Sequence, residues 1–168
     1  MAWQRRSQVH RPGALISLIQ LLRRGSQPRV ASLGRIPGTL RFSDLARNPD
    51  NQTVPGLMIF RVESSLLYFN VDYVRETILA RVRSETTSPK LVLCDLSASP
   101  HVDLQSASSL HELADELAAS GISMQVVEAR SSVRDRLRAA ELDEKLGGID
   151  RFRMVAQVVA DFEHRQAV

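Results

Sequence analysis

One continuous apolar run, together with the segments that follow it, constrains the fold of this chain more than any other feature. The run KLVLCDL (90–96) is apolar without interruption from Leu91 to Cys94, which is typical of a strand buried on both faces of a sheet. ISMQVVE (122–128) is interpreted as another buried strand. Between them, apolar residues recur at helical spacing from Leu104 to Leu117, and Gly121 ends the pattern. Because a helix that connects two buried strands favours a parallel crossover, the pattern predicts an α/β fold.

Two further elements are predicted before the first buried run. Apolar residues at 57–62 and 66–70 flank a short polar segment, which predicts a β-hairpin. Helical spacing of valines and an isoleucine then predicts a helix over residues 71–82. Asn70 or Asp72 is available to cap the start of that helix.

The C-terminal residues extend the same pattern. Ser132 and Asp135 have the spacing of a capping box, which predicts a third helix. Residues 149–154 predict a short edge strand, and the spacing of Val155, Val158, Val159 and Phe162 predicts a last helix. The whole order predicts a small mixed β-sheet with about four helices packed against it.

Positive charge is concentrated near the N-terminus. Residues 1–43 contain eight arginines and no acidic residue. Subtracting these eight charges from the net charge of +3 leaves −5 for the other 125 residues. A nucleic-acid-binding domain carries its basic surface on the folded part, so the composition argues against nucleic acid as a partner.

A short apolar stretch, GALISLIQLLRR at 13–24, lies within this basic arm. Its apolar residues include Leu15, Ile19 and Leu22, and Arg23 and Arg24 follow them. The stretch is shorter than the roughly 20 residues that cross a bilayer. It has the character of the inner end of a membrane helix with arginines on the inside. An amphipathic helix packed on the domain or on a partner is the alternative.

Proline and glycine mark the connection between this arm and the folded part. The sequence therefore divides into a basic arm with an apolar helix (1–28), a Pro/Gly-rich linker with a first strand near 29–33 (29–56) and a folded domain (57–168).

The segment LVLCDLSASPHVDLQSASSL (91–110) is the strongest candidate for a functional site. Asp95 ends the buried run and is expected to anchor the turn that follows. Asp103 precedes the helix and is expected to accept a hydrogen bond from the backbone N–H of Gln105 or Ser106. The two acids are therefore interpreted as structural supports beneath a recognition loop.

Catalytic and metal-binding alternatives have little support in the sequence. No serine lies in a Gly-x-Ser-x-Gly turn, and no phosphate-binding loop is present. His111 lies one helical turn before Asp115, which is typical of a surface ion pair. Cys94 lies inside the first buried run and is interpreted as a core residue. No enzyme activity, metal or cofactor is predicted.

The arrangement of strand, loop and helix in this segment resembles the STAS domain. This domain occurs in anti-sigma-factor antagonists and in the cytosolic tails of sulfate permease (SulP) family anion transporters. Segments upstream are similar to the permease tail, namely LGRIPG (33–38), PGL (55–57) and the pattern formed by Phe69, Asn70, Tyr73 and Arg75.

The resemblance implies a cytosolic regulatory domain on the inner side of the cell membrane. Its implied partners are the membrane domain of a transporter, a cytosolic regulatory protein or a second copy of the chain, with the arm associated with the membrane. The expected contact loop comprises Asp95, Ser99, His101, Val102, Asp103, Leu104, Gln105 and Ser106.

One departure from the antagonist pattern favours the transporter branch. In the antagonists a phosphorylatable serine or threonine follows the loop aspartate, whereas here Leu104 follows Asp103. A free-standing signalling module that resembles the antagonists remains the alternative function.

Overall fold

The computed structural model describes residues 11–167. Arg5 and Arg6 of the predicted arm lie outside the described residues, as does the side chain of Arg24. The elements in chain order are α1 (Arg11–Ser26), β1 (Val30–Arg35), β2 (Phe42–Asp44), β3 (Leu57–Val62), α2 (Val71–Ser84), β4 (Leu91–Asp95), α3 (Leu104–Ala119), β5 (Ser123–Val127), α4 (Ser131–Ala139) and α5 (Val155–Ala167).

The five strands form one mixed sheet in the order β2-β1-β3-β4-β5. Strand β1 pairs antiparallel with β2 and with β3, whereas β3, β4 and β5 are parallel. The helices α2 and α3 serve as the crossovers that parallel neighbours require. The predicted α/β fold with a small mixed sheet is therefore confirmed.

The core lies on both faces of the sheet, as the apolar run at 90–96 predicted. All five residues of β4 are buried. Val92 and Cys94 pack with α2, α3 and α4 on one face, whereas Leu91 and Leu93 pack with α5 on the other. Because neighbouring residues of a strand point to opposite faces, only a continuous apolar run satisfies this central position.

The predicted hairpin of residues 57–62 and 66–70 is wrong. Leu66 makes only an isolated parallel bridge with Val102. Residues 67–70 form a turn, in which the carbonyl of Leu67 accepts from the N–H groups of Asn70 and Val71. The position beside β3 is instead filled by β1, whose Val30 pairs with Val62.

Two local predictions in the C-terminal part are also wrong. Helix α4 begins after Arg130 and has no side-chain cap, so Ser132 and Asp135 form no capping box. Residues 149–154 form a turn and not an edge strand. There, the Asp150 carboxylate accepts from the backbone N–H groups of Phe152 and Arg153, and this local bonding replaces a strand ladder.

The segment predicted as a linker contributes two strands. Strand β1 (Val30–Arg35) overlaps the predicted first strand, and β2 (Phe42–Asp44) follows it. The chain enters β1 beside the carboxyl end of β3, since Val30 pairs with Val62. Helix α1 therefore leaves the domain at the end where the parallel strands finish.

We expect the two substitutions Gly147→Ala and Gly121→Ala to destabilise the fold unequally. Both glycines have positive φ, +79° and +73°, so each alanine costs about 1 kcal/mol of left-handed strain. At Gly147 an added Cβ would also lie 2.5 Å from Gln125 Cγ, whereas at Gly121 it would meet no atom within 4 Å. Overpacking adds about 1–2 kcal/mol at Gly147 alone.

Urea unfolding followed by circular dichroism measures both losses. Equal free energies of unfolding for the two variants would contradict the close packing of the Gly147 turn on Gln125.

Candidate functional site

Two loops lie side by side at the carboxyl ends of the parallel strands. One follows β3 and the other follows β4, and backbone hydrogen bonds join them. The N–H of Leu66 donates to the carbonyl of His101 at 2.9 Å, and the N–H of Asp103 donates to the carbonyl of Leu66 at 3.2 Å. The sheet pairing thus continues past the strands and fixes the shape of this edge.

Asp103 holds both loops with its two carboxylate oxygens. Its Oδ1 accepts from the backbone N–H of Ser106 at 2.8 Å, which caps α3. Its Oδ2 accepts from the backbone N–H of Tyr68, also at 2.8 Å. The predicted helix cap is confirmed, and its partner is Ser106 rather than Gln105.

These hydrogen bonds also set the charge state of Asp103. Partial desolvation raises the pKa of its carboxyl group, but the N–H donors of Ser106 and Tyr68 and the nearby charge of Arg136 outweigh it. The net effect is a pKa below the ordinary value for aspartate. The carboxylate is therefore ionised, and it accepts both hydrogen bonds, at neutral pH.

Asp95 and Ser99 support the first half of the β4–α3 loop. Asp95 is fully buried. Its Oδ2 accepts from Arg61 Nε at 2.7 Å, and its Oδ1 accepts from the backbone N–H of Ser97 at 2.8 Å. The buried hydroxyl of Ser99 donates to the carbonyl of Val62, the last residue of β3. The sequence prediction that Asp95 anchors this turn agrees with these contacts.

The predicted loop residues divide into supports and exposed side chains. Asp95, Ser99, Val102 and Ser106 are buried, and Asp103 is partly buried. Only His101, Leu104 and Gln105 present side chains to solvent, and Leu104 is 65% exposed.

Two aromatic residues extend this exposed set, and sequence reasoning missed both. Tyr68 is 70% exposed, and its ring meets that of Phe69 edge-on with centroids 5.4 Å apart. The predicted hairpin assigned both residues to a strand, whereas the turn before α2 turns them outward. Together, Tyr68, Phe69, His101, Leu104 and Gln105 are termed the carboxyl-end surface.

Helix α1 is attached next to this surface through Asn70. The Asn70 side chain is 2% exposed, and its Nδ2 donates to the carbonyls of Gly25 and Ser65, both at 3.1 Å. Its Oδ1 accepts from the N–H of Leu67. Asn70 therefore fixes the end of α1 to the β3–α2 loop instead of capping α2 with its side chain.

The apolar side chains of α1 are exposed on the described chain. Its leucines and isoleucines from Leu15 to Leu22, which include Ile19, are between 48 and 67% exposed, and Arg23 is also exposed. Within residues 11–167, no helix combines the length and the apolar character required to cross a membrane.

The candidate catalytic and metal groups have structural partners. His111 Nε2 lies 3.3 Å from Asp115 Oδ2, and Lys145 Nζ lies 2.5 Å from Asp115 Oδ1, as in a surface ion-pair cluster. Burial and the neighbouring Asp95 raise the pKa of the Cys94 thiol to about 12, which leaves it protonated and inert. Among the described residues, no group of three or more His, Cys, Asp and Glu is placed to hold a metal ion.

The chain matches the model of the STAS domain over residues 48–158. It is 29% identical over 150 residues to a probable sulfate transporter of Mycobacterium tuberculosis, which covers 89% of this chain and 27% of that protein. It is 31% identical over 154 residues to the low affinity sulfate transporter 3 of Stylosanthes hamata, with 86% of this chain and 24% of that protein covered. The chain thus spans about a quarter of the length of these relatives.

Solved structures share the fold at low sequence identity. The murine Solute Carrier 26 family member A9 anion transporter superposes with a TM-score of 0.69 at 17% identity, over 81% of this chain and 22% of that chain. The SulP transporter STAS domain of Vibrio cholerae gives 0.57 at 19% identity, over 74% and 94%. The anti-sigma factor antagonist SpoIIAA gives 0.52 at 10% identity, over 70% and 95%.

We expect Asp103→Ala to destabilise the domain by about 1–2 kcal/mol, since it removes a helix cap and the bond to Tyr68. The matched variant Asp103→Asn retains an oxygen acceptor for the cap and should lose less than half of that. Urea unfolding at pH 7 measures both. An Asp103→Ala variant as stable as the wild type would show that the cap contributes nothing.

The contribution of Asp103 to the free energy of unfolding should also depend on pH. Because its pKa is lowered in the folded state, the stability that the carboxylate adds is present above the unfolded-state pKa and is lost as pH falls through the folded-state value. The difference in unfolding free energy between wild type and Asp103→Ala should therefore shrink below about pH 4. A difference that stays constant from pH 7 to pH 3 would contradict this.

Proposed function

The chain belongs to the STAS domain family, and on this premise we propose that it is the regulatory and interaction domain of a sulfate or related anion transporter of the SulP type. The domain would lie on the cytoplasmic side of the membrane. It would act by binding protein, with the membrane domain of the transporter as its first partner. Its role would be non-catalytic, and no cofactor would be required.

The extent of the similarity to sulfate transporters carries this proposal. A match of 150 residues within a chain of 168 must include residues 19–150. It therefore reaches upstream of the STAS domain match, which starts at residue 48, through β1 and into α1. A free-standing module needs neither the apolar helix nor its attachment at Asn70.

The carboxyl-end surface is the proposed contact site. Leu104 and Tyr68 are large apolar side chains that are mostly exposed, and such clusters mark interaction sites on soluble domains. Their supports, Asp95, Ser99 and Asp103, fix the backbone beneath them before any partner binds. A preformed surface of this kind loses little conformational entropy on binding.

The position of α1 supports the same choice of surface. Helix α1 leaves the domain at the carboxyl end of β3, and Asn70 ties its last turn to the loop that carries Tyr68 and Phe69. If α1 continues a membrane helix, with Leu15, Ile19 and Leu22 toward lipid or neighbouring helices, the carboxyl-end surface faces the membrane domain. Arg23 and Arg24 would then lie at the inner boundary.

Two further parts of the proposal rest on the exposed face of α1. Its apolar side chains would associate with a membrane, or with α1 of a second copy when the helix is outside a membrane. We also propose that the division at residue 28 separates this membrane-proximal segment from the domain.

The second candidate is a free-standing signalling module similar to the anti-sigma-factor antagonists. The fold accommodates this function, since SpoIIAA superposes on 70% of the chain. In this case a cytosolic regulatory protein would occupy the carboxyl-end surface.

A chimeric transporter tests the first candidate. We expect residues 29–168 to restore sulfate uptake when they replace the corresponding domain of the Mycobacterium tuberculosis relative. Leu104→Asp should reduce the uptake rate by about tenfold, because an unpaired carboxylate buried in an interface costs more than about 1.4 kcal/mol. Uptake of labelled sulfate in a bacterial strain without its own sulfate transport measures both.

Ala119→Asp is the matched control, since it adds the same charge at the exposed far end of α3. It should leave uptake unchanged. Equal loss with both variants, or no loss with Leu104→Asp while the chimera is present in membranes at normal amounts, would contradict the proposed contact site.

Deletion of residues 1–28 tests the role of the arm. Because the apolar side chains of α1 are exposed rather than packed in the core, the shortened chain should remain folded and show a cooperative unfolding transition. It should lose its association with phospholipid vesicles and with itself. Circular dichroism, vesicle sedimentation and analytical ultracentrifugation give the three measurements. A shortened chain that is unfolded would place α1 in the core and would count against the membrane assignment.

A further inference from the structure

A second feature at the carboxyl ends of the strands lies on the opposite face of the sheet, beside α5. It is a pocket of about 490 Å³ between the β1–β2 turn and the start of α5. This volume is typical of small-molecule sites. In sheets with parallel strands, ligands bind in the crevice outside the carboxyl ends, where this pocket lies.

Arg61 forms the charged floor of the pocket. It projects from the end of β3, where Asp95 of β4 is its direct partner in the sheet register. Arg61 Nε donates to Asp95 Oδ2 at 2.7 Å, and the side chain is 30% exposed. Within residues 11–167 neither Nη1 nor Nη2 of Arg61 donates a hydrogen bond, so this end of the guanidinium is open to a ligand.

The buried carboxylate of Asp95 makes Arg61 a prepared donor. Asp95 is fully buried and is itself held by the N–H of Ser97, so it restricts the guanidinium to one orientation. A guanidinium held in this way offers two parallel N–H groups that match a carboxylate or another oxyanion. Rotamer freedom that Arg61 has already lost on folding need not be lost on binding.

The rim of the pocket supplies a second positive group and apolar walls. Arg41 lines the pocket and is exposed, and within residues 11–167 it makes no ion pair. Leu40 is 74% exposed and Met154 is 51% exposed, and both line the pocket. A ligand that fits this lining combines an anionic head with an apolar body.

Glu128 is the second acidic group of the lining, beside Asp95, which is paired with Arg61, and it opposes an anion. It follows β5 with φ of +57° and also lines the pocket. Its Oε1 lies 3.3 Å from the N–H of Val155, the first residue of α5. An anion in the pocket would therefore experience the repulsion of this carboxylate, and loss of its charge should strengthen binding.

We propose that this pocket is a binding site for a small organic anion. Its carboxylate or other oxyanion would bind Arg61 and Arg41, and its hydrocarbon part would lie against Leu40 and Met154. The site is distinct from the carboxyl-end surface, since it lies on the other face of the sheet.

Titration of the full chain with benzoate tests this site by two-dimensional NMR. Benzyl alcohol is the neutral ligand of matched shape, and inorganic sulfate is the anion without an apolar body. We expect saturable benzoate shifts at the amides of Ser97, Glu128 and Ala156, with about tenfold weaker binding of both other probes, since each lacks one half of the recognition.

Four variants assign the binding to named groups. Arg61→Lys retains a cation for Asp95 but removes the open guanidinium, and Arg41→Gln removes the exposed charge; each should weaken benzoate binding by about tenfold. Glu128→Gln should strengthen it by at least about threefold. Arg83→Gln makes the same charge change on α2, away from the pocket, and should have no effect.

The proposal is overturned if benzoate shifts do not saturate, if benzyl alcohol binds as tightly as benzoate, or if Arg83→Gln weakens binding as much as Arg41→Gln. If Arg61→Lys fails to fold, Arg41→Gln and Glu128→Gln decide the question. Arg41 is exposed, and Glu128→Gln keeps a side-chain oxygen for the N–H of Val155. Opposite effects of these two substitutions on affinity cannot arise from a general loss of structure.

Discussion

The parallel pairing of β3 with β4 sets Arg61 directly beside Asp95 and brings the two following loops to the same edge of the sheet. Parallel neighbours need a crossover, so the chain after β3 must pass through α2 before β4 begins. The β3–α2 loop then lies against the β4–α3 loop, where Asp103 can reach the N–H of Tyr68. The carboxyl-end surface is a consequence of this pairing.

Features that depend on neighbouring residues could be predicted from the sequence. A run such as LVLCD has no polar face, so it fits only a strand that is covered on both sides, and β4 is such a strand. Asp103 precedes a helical pattern and has a side chain of the right length to cap it, and it does so. The supports of the site were therefore visible in the sequence.

Features that depend on distant segments could not be predicted in this way. LLYFN has the composition of a strand, yet β1, which begins at Val30, fills the place beside β3. Tyr68 and Phe69 consequently belong to a turn and are exposed. The pocket beside α5 joins residues as distant in the chain as Arg41 and Met154, and no local pattern indicates that they meet.

Asp95 connects the two surfaces, although each lies on its own face of the sheet. Its Oδ2 orients Arg61 in the pocket, and its Oδ1 holds Ser97 at the start of the loop that ends at Asp103. A change of Asp95 would leave Arg61 without its partner and would also release the loop, so its effects on the two sites are inseparable. Leu104 and Arg41 each belong to only one of the two surfaces, so their substitution would separate the proposed partner binding from the proposed ligand binding.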